Sequence, residues 1–348
     1  MDVYYIAIVL CFFCLIFSIL AKKIDLLVSF ILMAIFCIIA GFRYNVGTDF
    51  KTYVYFINLI KGGHDTYMEP GFEILIKLLI GSGFEEQSIF FISSLITLTF
   101  FYLFIIKHSK LYTLSVVIFF LFPIFYLASF NGVRQFIAIG FFLYSLRFIL
   151  DRKILSYGLF ILLGALFHKT ILLMLPLYFL LDKKINLRKT ILVSIFYISF
   201  VSFLPYVGRA LGFPEKYFTD VLVTEGNNYK ALVFPFIFMV FYIFESKYNA
   251  KCNDNNITYN MLFIGSLISI TPLISSLPST PVIRMSSYFT PMVIVFFSNF
   301  SFLFRKSELR IMYYFVIVLL SFLYFYVTVF ISGEKYSLVP YFYNLKII

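Results

Sequence analysis

Residues 3–41 read VYYIAIVLCFFCLIFSILAKKIDLLVSFILMAIFCIIAG, two apolar runs (3–20 and 25–41) parted by the basic pair Lys22-Lys23. Each run approaches the roughly 20 residues a helix needs to cross the hydrocarbon core of a bilayer. The first run has no basic leader and no small-residue cleavage site, and it reads as a retained span rather than a removed signal. Of the 348 residues, 62% are hydrophobic and 13% are charged, about half the charged fraction of an ordinary soluble domain. Trp is absent, which leaves Phe (49) and Tyr (27) to anchor the chain at the membrane interface.

Carried outward, the same reading finds candidate spans at 88–106, 111–130, 135–150, 154–167, 170–181, 190–207, 231–246, 257–277, 282–304 and 311–332. The expectation is an all-α integral membrane protein of about twelve transmembrane helices, built as one polytopic domain over 1–348. The runs 154–167 and 170–181 are short. They predict either two thin spans or a re-entrant hairpin around His168, and both return the chain to the same side. Two long outer loops are expected, at about 42–87 and 208–230. Within the first, 50–60 and 72–80 are amphipathic, and Lys61-Gly62-Gly63 and Gly81-Ser82-Gly83 end them. They predict helices lying at the outer interface.

Orientation follows from the basic residues. With Lys22 and Lys23 in the cytoplasm, the alternate loops KHSK (107–110), DRK (151–153), DKKINLRK (182–189), ESKYNAKC (245–252) and RKSELR (305–310) are cytoplasmic too. With Arg147, that side holds 16 of the 28 lysines and arginines but 6 of the 17 acidic residues. The net charge of +11 therefore follows from topology, and nucleic acid is not an expected partner. The four cysteines show no metal-ligand or disulfide spacing, and Cys11, Cys14 and Cys37 read as small packing residues.

The span interiors carry almost no charge, which argues against an ion-coupled transporter. The unusual polar residues gather on the other face. In Asn131-Gly132-Val133-Arg134-Gln135, Asn131 is a candidate N-cap and Arg134 falls in the first turn of an inward-running helix. Thr280-Pro281-Val282-Ile283-Arg284 repeats that pattern. The free N–H groups of a helix start favour an anion, and an arginine adds a forked donor, so the pair suits a pyrophosphate. Ordinary snorkelling is the competing reading for each. His168 reads as a capping group or as an acid, base or phosphate ligand. Asp49, after Gly47-Thr48, and Glu69, before Pro70-Gly71, read as helix caps or as carboxylates that accept a proton from a sugar hydroxyl.

Four segments, GFRYNVGTDFKTY (41–53), EPGFEIL (69–75), NGVRQFIAIGFFLYSLRFI through ALFHKT (131–170) and RMSSYFTP (284–291), resemble the EpsG-type, Wzy-like polysaccharide polymerases. The resemblance implies a GT-C-like helical fold without a metal or other cofactor. It implies transfer of a growing glycan from polyprenyl pyrophosphate to a lipid-linked repeat unit, at the outer face of the bacterial cytoplasmic membrane. The implied partners are that lipid-linked oligosaccharide, membrane lipid, and flippase and chain-length-regulator proteins. On this carry-over Arg43, Arg134 and Arg284 hold pyrophosphate, with Gln135, Lys169 and Tyr288 beside them in the matching segments. Asp49, Glu69 or His168 activates the acceptor hydroxyl, and the three stand as equals. The competing functions are a lipid-linked oligosaccharide flippase, a glycan ligase and a membrane acyltransferase.

Overall fold

A computed structural model describes residues 2–183, 187–210, 254–274 and 284–347. The chain packs as two compact units, 1–175 with 294–348 and 176–293. The helices are α1 (Asp2–Leu20), α2 (Asp25–Phe42), α3 (Phe50–Lys61), α4 (Pro70–Gly81), α5 (Glu86–His108), α6 (Tyr112–Leu121), α7 (Val133–Leu150) and α8 (Ile154–Ala165). After them come α9 (Leu187–Ala210), α10 (Asp254–Ile274), α11 (Met292–Phe300) and α12 (Ser307–Tyr326). Two two-residue strands, β1 (Arg43–Tyr44) and β2 (Phe342–Tyr343), pair antiparallel, with Arg43 opposite Tyr343. The protein is thus mostly helical, and the described residues hold five helices long and apolar enough to cross a membrane: 3–20, 22–42, 86–108, 133–150 and 307–331.

α1 shows why lipid is the solvent. Tyr4, Ala7, Cys11, Leu15 and Ser18 face the protein, while Ile6, Val9, Phe13 and Phe17 on the other side are more than half exposed. Both stripes are apolar, so only the packing partner distinguishes them.

Several expected spans are shortened where proline intervenes. The run 111–130 is helical only to Leu121. Phe122, extended by the steric demand of Pro123, ends α6, and a 3-10 turn follows at Leu127–Phe130. The run 170–181 is a 3-10 segment, Lys169–Phe179, with Pro176 inside it. Of the run 282–304, the described residues hold a helical turn at 284–286, a turn at 287–291, α11 and a 3-10 turn at 301–303. The expected span 231–246 lies outside the described residues. The amphipathic runs 50–60 and 72–80 do form helices. Phe50, Tyr53, Phe56, Ile57 and Ile60 of α3, with Phe72 and Ile76 of α4, pack on Ile89 and Phe90 of α5 and Val133 and Ile137 of α7.

The helix directions gather the chain turns at two ends of the first unit. α2 and α5 are antiparallel, since Gly41 lies against Phe91 and Ser29 bonds Tyr102 at 3.0 Å. α5 and α7 run parallel, with Phe90 and Val133 in one buried cluster near their starts and Phe100 against Tyr144 further along. α8 returns along α7, with Phe160 against Tyr144 and Gly164 against Phe141. One end therefore holds Lys22, Lys23, Lys107, Lys110 and residues 151–153. There the carboxylate of Asp25 accepts from the backbone N–H of Tyr112 at 2.8 Å and of Thr113 at 3.0 Å, capping α6 from another helix. The opposite end holds the end of α2, the starts of α5 and α7, the end of α8, and α3 with α4.

In the second unit Asn260 on α10 donates to the carbonyls of Leu180, Leu181 and Lys183. Tyr197 of α9 and Thr271 of α10 are joined at 2.7 Å.

Candidate functional site: a carboxylate shared by an arginine and a histidine

Glu69 occupies the N-cap position of α4, with Pro70 at the first helical position, yet its side chain does not cap the helix. The carboxylate turns instead to two other elements. Its Oε2 accepts from Arg134 Nη1 in the first turn of α7, and its Oε1 stands 3.1 Å from His168 Nδ1, just past α8. The three side chains are only 10–21% exposed. Glu69 also lies close to the start of α7, where the helix dipole favours negative charge.

A backbone contact sets this register. The N–H of Gly71 donates to the carbonyl of Leu166 at 2.8 Å. A Cβ on Gly71 would lie 2.8 Å from that oxygen, so only glycine permits the approach. Glu69 lies two residues before Gly71 and His168 two after Leu166, which brings them side by side.

Burial raises the Glu69 carboxyl, but the His168 hydrogen bond and the Arg134 charge outweigh it and hold the group at about 2. It is therefore a carboxylate at neutral pH and only accepts. The proton on the shared bond then belongs to His168 Nδ1, and in the neutral tautomer that this selects Nε2 carries the lone pair. Burial raises the Tyr53 phenol of α3 and the charge of Arg134 offsets part of that rise, which places Tyr53 beside that guanidinium. Sequence reasoning missed Tyr53 and Gly71. Tyr53 shows only as one apolar position of the α3 stripe, and Gly71 only as the third residue of Glu69-Pro70-Gly71.

The other candidates lie elsewhere. Arg43 is 2% exposed and points inward. It belongs to a cap over the end of α2, where the last four carbonyls all find donors. Ile39 takes Tyr341 Oη, Ala40 takes Arg43 Nη1, Gly41 takes Gln87 Nε2 at 2.7 Å and Phe42 takes the N–H of Asn344 at 2.9 Å. The Arg43 guanidinium also lies over the ring of Phe130 at 4.6 Å. Asp49 is half-buried at the N-cap position of α3 without a side-chain cap bond, and it accepts from Thr48 Oγ1 at 3.3 Å. Asn131 does not cap α7. Gly132 holds that position, and Asn131 Oδ1 is buried toward Gly47, whose φ of +95° and close approach both require glycine. Gln135 is buried in the first turn of α7, and Lys169 is exposed beside His168. In the second unit Arg284 is exposed in a helical turn and Tyr288 is fully buried. Thr280 and Pro281 lie outside the described residues.

A mostly helical chain with several membrane-length helices and a half-buried Arg–Glu–His cluster at one end defines an integral membrane protein with a polar site at the helix ends. The profile of the EpsG family matches residues 26–343, nearly the whole chain. The chain belongs to the EpsG family, a family of Wzy-like polysaccharide polymerases. No curated protein and no solved structure matches it.

Proposed function

We propose that this polymerase moves a growing glycan from polyprenyl pyrophosphate onto a hydroxyl of a lipid-linked repeat unit, at the outer face of the bacterial cytoplasmic membrane. The observation that carries the site assignment is the single carboxylate of Glu69 bonded at once to Arg134 and to His168. Glu69 holds Nδ1 and so fixes the ring, and Nε2 takes the proton of the acceptor hydroxyl. The acceptor oxygen then bonds the anomeric carbon as the bond from that carbon to the pyrophosphate oxygen breaks. The electron pair leaves on polyprenyl pyrophosphate, and Arg134 stabilises the growing charge with its forked donors. Among the three carboxylate and imidazole candidates, this makes His168 the base, Glu69 a positioning residue, and Asp49 neither.

Arg43 is assigned a structural part, as the cap on α2. The role expected for Arg284 is a separate proposal, in which its removal lowers activity. The positive-inside charge pattern supports the outward placement, since the cluster lies at the end of the first unit opposite Lys22, Lys23, Lys107 and Lys110. The test is extension of a polyprenyl-pyrophosphate oligosaccharide by the purified chain in lipid. Extension by wild type and its loss in folded His168→Ala and Arg134→Ala is expected; extension by both variants at the wild-type rate would remove the assignment.

A further inference from the structure

A cleft of about 310 Å³ opens at the same end of the first unit, lined among others by Tyr44, Asn45, Lys51, Glu86, Phe90 and Asn344. Its wall is aromatic. Phe50 and Phe90 stack at 4.5 Å, and Tyr44, half exposed, meets Phe50 edge-on at 5.5 Å. Its rim is polar and has little net charge. Glu86 is held by Lys61 at 3.0 Å, which leaves Lys51 exposed at the mouth. The Oδ1 of Asn344 accepts from the N–H of Lys346 at 3.0 Å, so its amide N–H groups remain to donate. Asn45, exposed and with φ of +53°, adds a second amide to the lining just past β1.

A pyrophosphate would meet one cation and a carboxylate here, and an acyl chain would meet four polar side chains at the mouth. The ligand that fits has apolar C–H faces for the aromatic wall and hydroxyls that both donate and accept. That is a sugar. The cleft also adjoins the Glu69 cluster through α3. Phe90 packs on both Phe50 and Tyr53, one helical turn apart, and Tyr53 lies within reach of the Arg134 charge.

We infer that this cleft binds sugar residues of the growing glycan, away from the bond being made, and holds the chain between rounds of addition. The inference rests on the polymerase reading above. The probe is lipid-free oligosaccharide from partial hydrolysis of the polysaccharide whose production requires this chain, titrated calorimetrically into the full chain in lipid nanodiscs. Wild type and His168→Ala are expected to bind it, while Tyr44→Ala and Lys51→Ala weaken binding by about tenfold. Lys51 is exposed on α3, so that variant keeps its fold if Tyr44→Ala does not. Inorganic pyrophosphate is expected not to compete. Absence of binding to wild type, unchanged binding in the folded Lys51→Ala and Tyr44→Ala variants, or displacement by pyrophosphate would overturn the cleft while leaving the polymerase reading intact. Movement of the intact lipid-linked substrate across the bilayer without extension, by the purified chain in lipid, would overturn the polymerase reading, and the cleft with it.

Discussion

Gly71 and Leu166 meet backbone to backbone, the N–H of one donating to the carbonyl of the other at 2.8 Å. This contact fixes the start of α4 against the end of α8 and so places Glu69 beside His168. Gly71→Ala would set a Cβ 2.7 Å from Leu166 Cβ. The two segments must part, at a cost of about 1–3 kcal/mol, and activity falls with the register. Gly81→Ala is the control, because a Cβ there meets nothing within 4 Å. Thermal unfolding in detergent, with a transfer assay on the folded fraction, should separate the two.

The shared carboxylate predicts an ordered series of variants. His168→Ala removes the base, for which a loss of about 10²–10⁴ in kcat is expected. Glu69→Gln keeps an acceptor for Nδ1 but not the charge, so its loss is smaller. Arg134→Lys keeps the charge but loses the fork, and Lys is not a conservative replacement at such a site. Steady-state kinetics on folded protein would check the series. A Glu69→Gln enzyme weaker than His168→Ala would shift the role of base to Glu69.

Acid stability follows from the Glu69 carboxyl. Burial raises it, but the His168 bond and the Arg134 charge bring it down to about 2 from an ordinary 4.5. A group lowered on folding stabilises the native state most fully above its unfolded value, and that contribution fades as pH falls from 4.5 toward 2. Wild type should lose stability over that window, and Glu69→Gln should lack this component. Unfolding midpoints measured across pH 2–6 provide the comparison. Activity lost between pH 5 and 8 cannot come from protonating Glu69.

Arg43 and Arg134 should fail in different ways. Arg43→Ala opens a cavity beneath the α2 cap and strips Ala40 of its donor, which costs on the order of 2–5 kcal/mol. Lower yield of folded protein is expected, with normal turnover per folded molecule. Arg134→Ala should instead fold and turn over slowly. Size-exclusion profiles together with activity per folded protein would distinguish them, and a well-folded, inactive Arg43→Ala would return that residue to the site.

The helices that are legible in the sequence are those whose signal is local. α1, α2, α5 and α12 announce themselves as apolar runs, and α3 and α4 by an apolar face at helical spacing. The breaks at Pro123 and Pro176 are less legible, because hydropathy alone does not stop at a proline. Glu69, Arg134 and His168 each stood out by residue type, but their meeting joins positions 65 and 99 apart in sequence. No periodicity records such a contact. The burial of Arg43 does not show in the sequence because the residues that enclose it are distant. Tyr341 and Asn344 arrive with β2 some three hundred residues later. Asn131 looked like a cap, and the tight approach of Gly47 draws its side chain away.

The most direct test is made on the purified chain in lipid, given a defined polyprenyl-pyrophosphate oligosaccharide, with wild type, His168→Ala and Arg134→Ala side by side. Longer lipid-linked glycan with release of polyprenyl pyrophosphate from wild type, and its loss in both folded variants, is the predicted result. Movement of the intact substrate across the bilayer without extension, or extension by both variants at the wild-type rate, would contradict it.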